Sequence, residues 1–76
     1  MMVKSGEEVL ARMREGWRFV RRDYAGKRPS RYWMIDEDGG VHSVTGSTAA
    51  RARRISVLRP ASLEEHEGYA QMEFRL

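Results

Sequence analysis

The sequence predicts a small α+β fold: an antiparallel or mixed sheet of three to five strands, one main N-terminal helix and a short second helix. Three observations predict it. Ser5-Gly6-Glu7-Glu8 is a helix-opening signature followed by an apolar stripe. Arg31-Tyr32-Trp33-Met34-Ile35 and Val41-His42-Ser43-Val44 flank the turn signal Glu37-Asp38-Gly39-Gly40. The chain closes on a strict alternation, with Ala70, Met72, Phe74 and Leu76 separated by Gln71, Glu73 and Arg75.

The elements follow in order. Ser5 is placed to accept from the Glu8 amide and Glu8 to reach back to the Ser5 amide. Acidic residues open this segment and Arg12 and Arg14 close it, matching the helix dipole. Val9, Leu10 and Met13 form its apolar stripe, and Gly16 stops it in a left-handed position, so the helix is expected over 6–15. Trp17 to Tyr24 reads as a strand with Trp17 and Phe19 on one face, its alternation blurring at Val20 and Arg21. Ala25 to Ser30, with Gly26 and Pro29, reads as a basic loop. Residues 31–35 and 41–44 then form a hairpin.

Thr45-Gly46-Ser47-Thr48 offers several N-caps for a short helix over 48–54, whose apolar face is alanine alone. Ile55 to Leu58 reads as a strand closed by Pro60, and Ser62-Leu63-Glu64-Glu65 as a second capping box with room for one turn before Gly68. With the final strand, the expected order is α-β-β-β-α-β-β. The expected core is Val9, Leu10, Met13, Trp17, Phe19, Trp33, Ile35, Val41, Val44, Ile55, Val57, Met72 and Phe74.

At 76 residues the chain holds one domain with a thin core. With no cysteine it has neither disulfides nor thiolate chemistry, and its two histidines make a poor metal site. No apolar run approaches membrane-spanning length, and no secretory signal is seen, so a cytoplasmic protein without membrane contact is expected.

No reaction is signalled. His42 and Ser43 point to opposite faces of a strand and cannot pair as base and nucleophile. His66 lies among Glu64, Glu65 and Glu67 and reads as a solvated surface histidine. Asp36, Glu37 and Asp38 crowd a glycine turn and lack the spacing of a calcium loop. The glycines fit neither a phosphate loop nor a dinucleotide fingerprint. The chain is expected not to be an enzyme and to need no cofactor.

Charge distribution is the functional lead. Residues 1–35 carry nine basic and four acidic groups, a balance of +5, and residues 51–60 carry +4. Residues 36–50 and 61–76 each carry −3, leaving +3 overall. Such a field steers an anionic partner, although solvated charges alone would look the same. Arg18, Arg21, Arg22, Lys27, Arg28 and Arg31 lie on or beside the first hairpin. Tyr24 and Tyr32 are interleaved to stack on a base or brace an arginine. Arg51 and Arg54 share a face of the second helix. Ser47 and Thr48 at its start would hold a phosphate oxygen, or simply cap it. If hairpin and helix share one side, these residues form a continuous basic surface. Trp17 and Trp33 fit the core better than a platform.

The hairpin lies between the helices, an order unlike a helix-turn-helix, and an RNA-recognition motif is missing. In size and charge the chain resembles compact accessory proteins of phages and mobile elements, a likeness of general character carried by no motif. The expected function is non-enzymatic nucleic-acid binding through arginines, in an accessory or regulatory protein. The alternative is a protein-interaction module or inhibitor whose arginines meet an acidic protein surface. A third is a homo-oligomeric structural protein, as a homodimer through a sheet edge.

Overall fold

The computed structural model describes residues 2–76. Its elements are β1 (Met2–Val3), α1 (Gly6–Arg14), β2 (Arg18–Tyr24), β3 (Arg31–Ile35), β4 (Val41–Val44), α2 (Gly46–Ile55), β5 (Arg59–His66) and β6 (Tyr69–Arg75). The strands form one mixed sheet in the order β1-β4-β3-β2-β6-β5. β1 runs parallel to β4, and every other neighbouring pair is antiparallel. The α+β class is as expected, but the sheet has six strands rather than three to five. The order is β-α-β-β-β-α-β-β.

The local signals act through specific bonds. Ser5 Oγ accepts from the Glu8 amide at 3.0 Å. The Glu8 carboxylate accepts from the Lys4 amide at 3.0 Å, one residue earlier than the Ser5 amide expected from the capping pattern. α1 ends one residue before the predicted boundary. Gly16 adopts φ +100 there, the Trp17 amide bonds the Arg12 carbonyl and the Gly16 amide bonds that of Met13. α2 starts two residues before its predicted boundary because Thr45, rather than a later residue, caps it and accepts from the Thr48 amide at 3.2 Å.

The two helices cross where there is no side chain to separate them. A Cβ on Gly6 would lie 2.7 Å from the Ala52 nitrogen and 2.7 Å from Arg51 Cγ. Ala49 and Ala52 are fully buried at and beside this crossing. The all-alanine face is therefore what permits close packing of α2.

Register fixes the sheet faces. Phe19 stands opposite Met34 on β3 and Phe74 on β6. These three pack with Val3, Val9, Val44, Ala49 and Ala52 in one core. Both helices therefore cover the same face. The other face carries the alternate residues and, among the described residues, has no helix over it.

Several expectations are corrected here. Trp33, Ile35 and Val41 leave the predicted core because β3 turns Met34 and Tyr32 toward the helices instead. Ile55 ends α2, and Ile55 and Val57 are exposed, so the expected strand over 55–58 does not form. The expected capping box at Ser62 lies inside β5, where pairing with β6 replaces a helical turn. β1, two residues long, was not anticipated, and it brings Val3 into the core.

Candidate functional site

The helix-free face presents a patterned row of side chains. β2 contributes Arg18, Val20, Arg22 and Tyr24, and β3 contributes Arg31, Trp33 and Ile35. β4 adds Val41 and Ser43. β6 adds Tyr69, Gln71, Glu73 and Arg75, and β5 adds Arg59, Ser62, Glu64 and His66. At these positions five arginines face two glutamates.

Arginine meets arginine twice across neighbouring strands. Arg22 is the register partner of Arg31, and Arg59 that of Arg75. Like charges directly opposite destabilise a sheet. Arg22 and Arg18 are four residues apart, so the two arginine-rich ends are separated by roughly 13 Å along the strand. Among the described residues, no carboxylate lies within ion-pair distance of Arg22, Arg28, Arg31 or Arg59. Arg18 is paired with Glu73 at 2.8 Å, and Arg75 approaches the same carboxylate at 3.8 Å.

The Arg22 end is aromatic. The Arg22 guanidinium lies 4.3 Å from the Tyr69 ring centroid and 5.1 Å from that of Trp33. Its terminal nitrogen donates to Gln71 Oε1 at 2.8 Å, while its shielded Nε–H meets no acceptor. His66 stacks on Tyr69 with centroids 4.7 Å apart, and Tyr24 tilts against Tyr69 at 6.4 Å. Arg28 reaches from the loop to within 4.7 Å of the Tyr24 centroid. Cationic and aromatic groups thus run in contact from Arg28 through Tyr24, Tyr69 and Arg22 to Trp33.

Beside them is a cavity of about 270 Å³ lined by Val20, Arg22, Trp33, Ile35, Val41 and Gln71. Val20 is only 1% exposed although no helix covers it, because long side chains close over it. Val41 is 59% exposed at the outer rim.

The predicted site residues divide between two sides. Arg18, Arg22, Arg31 and Tyr24 lie on the open face, and Arg28 joins them through Tyr24. Lys27 is exposed in the adjoining loop. Arg21 and Tyr32 turn to the helix side, where Arg21 pairs with Asp23 at 3.1 Å and Tyr32 stacks on Phe19 at 5.9 Å. Arg51 and Arg54 are on α2, across the sheet from Arg22. Arg51 is tied to Glu7 of α1 at 3.1 Å. A hydrogen bond from Glu7's own backbone amide first, and then the Arg51 guanidinium, holds the Glu7 carboxyl below its usual range. Ser47 and Thr48 bond Thr45 within the cap. The expected single surface shared by both arginine groups is therefore not formed, because both helices pack on the face opposite Arg22.

Trp33, Tyr69, His66, Arg59 and Arg75 also belong to the open face; the sequence reading puts Trp33 in the core and His66 in solvent, and gives Tyr69, Arg59 and Arg75 no place in the site. The alternation around Phe74 was the available signal for Tyr69 and Arg75, since residues out of phase with Phe74 face away from the core. Among the described residues, no three His, Asp or Glu side chains gather to hold a metal ion, and no helix is long and apolar enough to cross a membrane. No family model, no curated protein and no solved structure matches this chain.

Proposed function

We propose that the chain is a non-enzymatic, cytoplasmic accessory or regulatory protein that binds single-stranded nucleic acid on its open sheet face. The paired arginines, Arg22 with Arg31 and Arg59 with Arg75, carry this reading. Each pair costs folding free energy when alone, and a bound phosphate offsets that cost while accepting charge-assisted hydrogen bonds. Trp33 and Tyr24 supply faces on which unpaired bases stack, and Tyr69 braces Arg22 between them. Bases inside a duplex offer no such face, so the aromatic row favours a single strand. The cavity under Trp33 is apolar below and rimmed by Arg22 and Gln71, which suits one inserted base.

Binding is then electrostatic and salt-dependent. With about four phosphates engaged, log K falls against log salt with a slope of about −3. Fluorescence anisotropy with labelled single-stranded DNA, RNA and duplex DNA over a salt series tests the proposal. Single strands bound more tightly than duplex, with that slope, support it. Equal or absent binding at low salt refutes it.

One observation favours a protein partner instead. Trp33, Ile35 and Val41 make an apolar strip extending toward the exposed Met2 at the sheet edge. An acidic protein surface carrying one apolar side chain would fill the same cavity. Its affinity would depend less on salt, and oligonucleotides would not compete.

A further inference from the structure

The free edge of the sheet points to a second copy of this chain. β5 is an outer strand, so its outward backbone groups have no strand partner among the described residues. It is eight residues long, the longest strand, and every residue in it is exposed. Each of the other five strands contributes at least one buried side chain. The helix layer does not reach it. Leu63 faces the helix side opposite Met72 and is 60% exposed, and Val57, just ahead of the strand, is 79% exposed. Natural sheets keep exposed edges short or covered, as β1 is short here.

The charge order along β5 is self-complementary. Arg59 opens the strand, Glu64 and Glu65 lie near its end, and Glu67 follows in the turn. Two antiparallel copies related by a two-fold axis therefore set each basic end against the other's acidic end. Centring the axis on Glu64 or Glu65 would oppose like charges. Centring it on Leu63 sets leucine against leucine and Ser62 against Glu64. Pro60 and the register shift between Pro60 and Ser62 disturb regular pairing at the start of the strand. About an axis at Leu63, that confines the regular ladder to Ser62, Leu63 and Glu64 of each copy, with Arg59 of one copy opposite Glu67 of the other beyond its ends.

We infer that β5 pairs antiparallel with β5 of a second copy about an axis at Leu63, joining two sheets into one. Such an axis stands perpendicular to the sheet, so both open faces lie on the same side and their arginines form one longer surface. The pairing is independent of what that surface binds.

Sedimentation equilibrium on the full chain, without nucleic acid, tests it. The wild-type mass should approach twice 8.8 kDa as concentration rises through the micromolar range. Leu63→Lys should give a monomer with an unchanged circular dichroism spectrum. Arg59→Glu should weaken the dimer, and adding Glu65→Arg and Glu67→Arg should restore it. A monomer at hundreds of micromolar overturns the inference. So does a dimer that survives Leu63→Lys, or one weakened further by the compensating charges.

Discussion

The Arg22 guanidinium sits 4.3 Å from the centroid of the Tyr69 ring. This contact joins β2 to β6 on the helix-free face and holds a cation without a carboxylate. An arginine braced by a ring keeps its plane while its donors turn to a ligand, at less entropic cost than a free side chain.

Replacing Tyr69 by alanine releases Arg22 from its brace and should weaken single-strand binding about fivefold, the effect of a lost cation–π contact of ~1 kcal/mol. Arg22→Lys keeps the charge but loses the plane, and should fall between wild type and Arg22→Ala. Anisotropy titrations at one fixed salt concentration check both.

Arg51→Ala with Arg54→Ala should leave binding within twofold of wild type, because α2 lies across the sheet from Arg22. The Arg51–Glu7 pair is exposed and screened by solvent, so thermal stability should barely change. A large loss of binding would move the site to the helical side.

Gly6→Ala should destabilise the fold by about 1–3 kcal/mol, since the added carbon would lie 2.7 Å from backbone across the helix crossing. Urea unfolding measures this. Phe19→Ala removes a fully buried ring from the middle of the core and should cost about 3–5 kcal/mol, enough to unfold much of a chain this small.

Asp36 organises the β3–β4 turn. Its carboxylate meets His42 Nε2 at 2.8 Å and accepts from the Asp38 and Gly40 amides at 2.9 and 2.8 Å. The His42 bond first, then the Gly40 amide, holds this carboxyl below its ordinary value of 3.8. A depressed folded-state value adds stability above 3.8, and that stability is lost as pH falls from there through the folded value. Asp36→Asn should therefore lower the melting temperature at neutral pH and flatten its decline in acid. Melting curves over a pH series check the sign.

Much of this fold is legible in local chemistry. Ser5 with Glu8, Gly16 and the Asp36–Gly40 turn are short-range signals, and each acts close to where the sequence puts it. The facing of β3 is not legible, because Trp33 and Ile35 are as apolar as Tyr32 and Met34. Either phase would bury two large side chains, and only pairing with Phe19 decides. β5 is hidden for a related reason. All of its side chains are exposed, so burial imposes no alternation and Ser62–Glu65 imitates a helix start. The arginines of the candidate site were visible as residues. Their division between two faces depends on both helices packing against the Phe19 face, a long-range fact that no local spacing carries.

Chemical-shift mapping of the isotope-labelled protein with a short single-stranded oligonucleotide tests the open face most directly. The account predicts that the Trp33 indole and the amides around Arg22, Arg31, Tyr69 and Arg75 shift in step with added strand, while Arg51, Arg53 and Arg54 stay fixed. Shifts centred on α2, or none at all at low salt, would contradict it.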